Sequence, residues 1–489
     1  MLFRKVFFST LFLFIARLIF RALNAATVIF VARFLGADKY GYFETSLAIV
    51  NVLLVFNDLG MSTLLVKEAS RDKEKLPVYF GNTLLVESVL SVVLFGLMIL
   101  SAWLLYHNPV ITELVALLGA ANLIFEHRKV FRGSLRVVFR MTSLGWVEIL
   151  NGAANFGILV LITKITDPET GLFRLAEAQL LINLIIVALF GAYALLVVRL
   201  RPKLDTAQIK PMIKGAYLFS LTQLFTILYF SIDQILISKL RPIEEVGWYS
   251  APFKIIVFMI MVPQMIFQVV QPIMFRLAAQ DIERYKRIHF TLMRYLTAFG
   301  LPIGAICIIY ANQLVLWFFG DRFAQSALPL RWFGAFIMVY FIASAAEYSL
   351  TSLDKQKTKV IIQVIAVVAN GILDVFLIIH YGFFGAAIAT FIVEVFLAGG
   401  FIAADLKALK ERGSQVLLQI WKPVVAVAVT TGMALFVLNP LFPSFTALIL
   451  SGVIYLSLLA ILRFLRPYDL KLFKQLAPGT KGNSAEELT

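Results

Sequence analysis

Cysteine is nearly missing: Cys307 is the single one in 489 residues. That excludes an intramolecular disulfide framework and any metal site built on clustered cysteines. Charge is scarce too. Asp, Glu, Lys and Arg make up 15% of the chain, where a soluble domain carries roughly 25%. The four histidines, His107, His127, His289 and His380, are scattered, so no HExxH or His-rich ligand set forms. No Gly-rich loop ending in Gly-Lys-Ser/Thr occurs, which excludes ATP hydrolysis on a P-loop of this chain. The longest polar segment is a short C-terminal tail from about residue 467, so a separate soluble catalytic domain is excluded as well. The chain reads as a non-enzyme without a cofactor.

What is plentiful is apolar. Hydrophobic residues are 60% of the chain and the mean hydropathy is +0.87. Disorder needs low hydrophobicity and is ruled out. The apolar material amounts to many membrane spans. With spans of roughly 20 residues, breaks rich in Lys, Arg, Gly and Pro leave fourteen candidates: 8–32, 42–66, 78–105, 110–126, 142–163, 175–198, 212–238, 247–275, 288–319, 325–353, 360–380, 383–404, 418–438 and 442–462. The first is no cleaved signal peptide, because its apolar run is too long, it carries Arg17 and Arg21, and no small-residue cleavage site follows.

Net charge is +15, from 44 Lys and Arg against 29 Asp and Glu. With the N-terminus in the cytoplasm, 33 of the 44 cations fall in cytoplasmic segments, 8 in outward loops and 3 inside spans. A four-to-one bias that alternates loop by loop obeys the positive-inside rule. An error of one span would scramble it downstream. The expectation is a multi-pass protein of the cytoplasmic membrane with both termini cytoplasmic. The basic excess is then explained by topology and anionic membrane lipids, with no need of nucleic acid.

The chain also resembles itself. A shift of 206 residues lays VARFLGADKYGYF (31–43) on ISKLRPIEEVGWY (237–249), with Gly41 on Gly247 and Asp38 on Glu244. A shift of 215 lays Gly119 on Gly334, Ser134-Leu135 on Ser349-Leu350 and Asn155 on Asn370. Both shifts correspond to six spans, an even number, so the halves run in the same direction. The predicted fold is all-α and polytopic. Two six-helix bundles, 1–205 and 206–410, form a pseudo-twofold parallel repeat, followed by an added helix pair at 411–466 and a cytoplasmic tail at 467–489.

Three cations remain inside the bilayer: Arg17, Arg21 and Lys254. A charge at mid-bilayer costs about 3 kcal/mol on insertion scales. Arg17 and Arg21 are four residues apart and share a helix face, which Asn24 continues. Embedded acids accompany them: Asp58, Glu87, Glu148, Asp233, Asp374 and Glu394. By depth, Asp58 suits a structural ion pair with Arg17, and Asp233 one with Lys254. Asp58, Asp233 and Glu394 equally suit ion coupling, since a buried carboxyl can carry a proton. Arg21 is left without an obvious acidic partner, which favours a substrate role. Prolines 252, 263, 272 and 302 place kinks in spans 8 and 9.

FLGADKYGYFETSLAIVNVLLVFNDLGMSTLLVKEASRD (34–72), SIDQILISKL (231–240) with VGWYSAPFKI (246–255), and YGFFGAAIATFIVE (381–394) resemble, in order, motifs of the polysaccharide transporter family. This family contains O-antigen and teichuronic-acid repeat-unit flippases. It belongs to the multidrug/oligosaccharidyl-lipid/polysaccharide superfamily. The resemblance, over about residues 8–409, implies two six-helix bundles around a central cavity. It implies a substrate, a polyprenyl-diphosphate-linked oligosaccharide flipped from the inner to the outer leaflet. It also implies a diphosphate site at Arg17, Arg21 and Lys254, and Asn24 joins the expected site by its place on the Arg17–Arg21 face; coupling to an H+ or Na+ gradient or to membrane potential, and polysaccharide polymerase and glycosyltransferase partners, are compatible with it. Two other readings stand beside it: a multidrug or metabolite exporter of the same superfamily, and a non-transporting membrane subunit of a polysaccharide assembly complex.

Overall fold

A backbone in hydrocarbon must satisfy its own hydrogen bonds, and a helix does so within one segment. The computed structural model describes residues 2–138, 141–198 and 202–464; the tail expected from 467 lies outside them. All regular structure among the described residues is helical. Twelve described segments are long and apolar enough to cross a membrane. One of these, Ile15–Ser70, spans 56 residues and bends at Gly36, so it holds the first two expected spans. The 32-residue helix Ile209–Leu240 supplies the seventh. The fourteen expected spans thus find their helices in order.

The helices fall into two units that divide between Ala251 and Pro252. The first begins with α1 (Leu2–Asp58) and α2 (Met61–Arg71). Two breaks shape this stretch. Gly36 has φ 72° and ψ 171°, a conformation open to glycine and strained for other residues. Leu59 and Gly60 both have positive φ, and the Asp58 carboxylate accepts the Ser62 backbone N–H at 2.8 Å. The expected single span 42–66 is therefore divided: Asp58 satisfies an orphan donor in the first turn of α2. Next come α3 (Leu76–Tyr106), α4 (Pro109–Glu126), the ten-residue α5 (Arg128–Val137), α6 (Met141–Ile165), α7 (Pro168–Val198), α8 (Ile209–Leu240) and α9 (Ile243–Gln280).

Helix α5 has no counterpart in the span list. Its residues Val130, Phe131, Leu135 and Val137 are buried with Leu65, Phe80, Leu144 and Phe190, while Arg128, Arg132 and Arg136 repeat every four residues on another face. Gly133 lets α5 close on α2, since a Cβ there would sit 3.1 Å from Leu65 Cδ2 and 3.3 Å from Val66 Cγ2.

The 206-residue shift reappears as a contact within the first unit. A Cβ on Gly41 would lie 2.1 Å from the Ile243 carbonyl oxygen, and a Cβ on Gly247 2.0 Å from that of Ala37. Positions 37 and 41 shift onto 243 and 247, so each contact is the image of the other.

In the second unit, α10 (Ile282–Ile309) ends at Tyr310 and α11 (Ala311–Phe319) follows, so the expected span 288–319 is two helices. Then come α12 (Ala327–Ser352), α13 (Gln356–Tyr381) and α14 (Phe383–Leu409). Helices α10 and α12 cross at Gly304 and Gly334, each Cβ position lying within 2.6 Å of the other's carbonyl oxygen. The added pair is α15 (Gly413–Met433), which passes through a π-helical stretch (Ala434–Leu438) into the one-turn α16 (Asn439–Leu441), and α17 (Ser444–Ile461). Tyr455 of α17 donates its hydroxyl to the Ala298 carbonyl of α10 at 2.7 Å, which ties the pair to the unit.

Candidate functional site

Charge in the first unit gathers where α1, α5 and α6 meet. Glu148 of α6 is buried and holds two arginines of α5: Arg132 at 2.7 Å and Arg128 at 3.3 Å. The Arg128 guanidinium also lies 3.8 Å from the centroid of the Phe125 ring, where the ring face attracts a cation. From α1, Arg17 and Arg21 both come within electrostatic reach of Glu148 and Arg132. Arg136 is within reach of Arg17, Arg132 and Glu148. Five guanidinium groups thus surround Glu148, with Glu126 also in reach of Arg128. Arg17, Arg21 and Arg136 make no ion pair among the described residues. Arg21 is exposed, while Arg17 and Asn24 are half-buried.

Such an excess of cation has a chemical meaning. Guanidinium carries its charge at any physiological pH and presents a fork of donors that matches phosphate or carboxylate oxygens. The cluster has the donor set that anion binding requires.

An acidic layer borders it. Asp58 (α1), Glu87 (α3) and Glu126 (α4) are all buried. The Ser62 hydroxyl donates to Glu87 Oε1 at 3.2 Å while its backbone N–H serves Asp58. Lys129 of α5 is ion-paired with Glu126 and lies within electrostatic reach of Asp58 and Glu87. Asp58, expected by depth beside Arg17, therefore caps α2 and sits among acids instead.

The other sequence candidates are placed elsewhere. Asp233 of α8 is buried and accepts the Tyr249 hydroxyl. In the second unit Lys254 is half-buried on α9, and Glu394 is buried on α14. There Asn370 Nδ2 donates to Asp374 Oδ2 at 2.7 Å. Sequence reasoning singled out Arg17 and Arg21 but assigned Arg128, Lys129, Arg132 and Arg136 to a loop. The signal for them was the four-residue spacing of the three arginines, which is the spacing of a helix face.

The match to known proteins agrees with this architecture. Residues 30–328 match the model of a family described as polysaccharide biosynthesis protein. A Shigella flexneri protein described as a "putative O-antigen transporter" is 22% identical over 384 residues, covering 74% of this chain and 88% of its own length. The lipid II flippase MurJ, in an inward closed conformation, superposes with a TM-score of 0.74 at 14% identity, over 92% of this chain and 98% of that one. An inward-facing multidrug resistance transporter of the MATE family superposes with a TM-score of 0.64 at 18% identity, over 81% of this chain and 99% of that one. Fold and composition define a multi-pass, all-helical membrane protein with the fold seen in MurJ and MATE proteins. The chain belongs to the polysaccharide biosynthesis protein family, and its named relatives are transporters and flippases, not enzymes.

Proposed function

We propose that the protein is an alternating-access flippase of the cytoplasmic membrane. It moves a polyprenyl-diphosphate-linked oligosaccharide from the inner to the outer leaflet for surface polysaccharide assembly. The arginine cluster around Glu148 carries this reading. A diphosphate brings at least two negative charges to a place where five guanidinium groups outnumber the carboxylates Glu148 and Glu126. Arg17 and Arg21 receive the diphosphate, with Asn24 beside them on the same helix face. Lys254 of α9 is a further candidate phosphate ligand, a point charge rather than a fork. The polyprenyl tail stays in the bilayer.

Repulsion among the arginines opposes the anion-free arrangement and favours the loaded one, so the substrate itself biases the conformational equilibrium. Downhill movement of H+ or Na+ through the buried carboxylates, Asp58, Asp233 and Glu394 among them, supplies the drive. Both termini face the cytoplasm, as the distribution of loop cations supports. A polysaccharide polymerase and glycosyltransferases act before and after it on the same lipid-linked glycan. The MATE-like fold also suits an exporter of cationic drugs, but the surplus of arginine in the first unit repels such substrates.

The cellular test is replacement of the wild-type gene by an Arg17→Gln, Arg21→Gln variant. Lipid-linked oligosaccharide should accumulate on the cytoplasmic face while the variant inserts normally. Surface polysaccharide at the wild-type level with that variant would refute the assignment.

A further inference from the structure

Beside the arginine cluster lies a cavity of about 400 Å³ between α2 and α5. Its basic lining is Lys67 from α2 and Lys129, Arg132 and Arg136 from α5; Ser62 and Thr63 add hydroxyls, and Asp58 is the one acid. Two of the four cations are already matched, Lys129 by Glu126 and Arg132 by Glu148. Lys67 and Arg136 make no ion pair among the described residues. Lys67 and Thr63 are exposed, so the cavity opens to its surroundings. Arg136 joins the two places, lining the cavity while standing within electrostatic reach of Arg17.

We propose that this cavity is a second anion site, separate from the one on Arg17 and Arg21, that binds a phosphoryl group between Lys67 and Arg136. The argument is one of charge and room. Two unmatched cations face a space that holds several phosphate-sized groups. Donors of three kinds line it: guanidinium, ammonium and hydroxyl. A single carboxylate that already caps α2 does not neutralise them. The site rests on the flippase reading for its role, which is to receive the diphosphate before Arg136 hands it to Arg17. Its existence does not rest on that reading. The same chemistry fits the phosphate of an anionic membrane lipid, and the two sources are separable by experiment.

The probe is inorganic diphosphate, titrated calorimetrically into the full-length protein in neutral detergent at low salt. Wild type should bind it. In the Arg17→Gln, Arg21→Gln background, which removes the other site, Lys67→Gln and Arg136→Gln should each weaken binding about tenfold, and the pair should abolish it. Arg21→Gln should leave this event in place. Lys67 is exposed and unpaired, so its replacement leaves the fold intact even if Arg136→Gln does not. The lipid arm repeats the titration in nanodiscs of phosphatidylcholine with and without one-fifth phosphatidylglycerol. Unchanged affinity assigns the site to the soluble diphosphate. Competition that disappears in Lys67→Gln assigns it to the lipid headgroup. Either result supports a phosphoryl site. No binding in the Arg17→Gln, Arg21→Gln background, or binding there that survives the Lys67→Gln, Arg136→Gln pair, overturns it. Loss through Arg21→Gln alone would also overturn it while leaving the flippase reading standing.

Discussion

Removing the Glu148 carboxylate would leave buried Arg128 and half-buried Arg132 beside each other without their shared ion-pair partner. Breaking a buried ion pair by deleting one partner costs about 3–5 kcal/mol, and here one acid serves two partners. Glu148→Ala should therefore lower the melting temperature strongly in detergent, as measured by tryptophan fluorescence. Added diphosphate should recover part of the loss, because an anion replaces the missing charge. Arg21→Ala should act in the opposite sense. Arg21 is exposed and has no ion pair among the described residues, so its removal relieves repulsion. Its melting temperature should equal or exceed that of wild type. Equal destabilisation by the two substitutions would contradict the charge balance described for the cluster.

At the scale of helices, the closest contacts are made by glycine. Gly247 allows α9 to cross α1 with backbone touching backbone, and a side chain there would collide with the Ala37 carbonyl. Gly247→Val should abolish well-folded protein on size-exclusion chromatography. Gly157→Ala on α6, where a Cβ meets nothing within 4 Å, should leave the elution profile unchanged. The Gly41–Gly247 correspondence was readable in the sequence because a repeat aligns both glycines and the residues they touch. Span number and order were readable because lipid demands long apolar runs and leaves cations at their ends. Local departures from straight helices were harder to see. The break at Leu59–Gly60 depends on a left-handed turn inside an apolar run, with Asp58 as cap. Helix α5 is too short and too charged to register as a span, so its arginines read as loop cations until their apolar neighbours were seen packed on α2 and α7. What composition could not show is which acid meets which base. Depth alone matched Asp58 with Arg17, whereas Glu148, on a helix far along the chain, takes the central place.

For the whole molecule, the net charge of +15 separates into two parts with different physical roles. Most of it lies between the apolar runs, on helix ends and the segments that join them, in the alternating pattern that predicts orientation. A small remainder lies within the apolar runs themselves, and on α1 it joins the cations of α5 in the arginine cluster. Fold does not by itself select a substrate, so the proposed function rests on the charge of the cluster rather than on the fold shared with MurJ and MATE proteins. The most direct measurement of that claim is flipping in proteoliposomes loaded with a fluorescent polyprenyl-diphosphate oligosaccharide, followed by quenching from the outer face. Wild type should make the inner-leaflet pool accessible. Arg17→Gln, Arg21→Gln protein, reconstituted at equal density, should reduce the rate at least tenfold. Undiminished flipping by that double variant, or transport of a cationic dye in place of the lipid, would contradict the account.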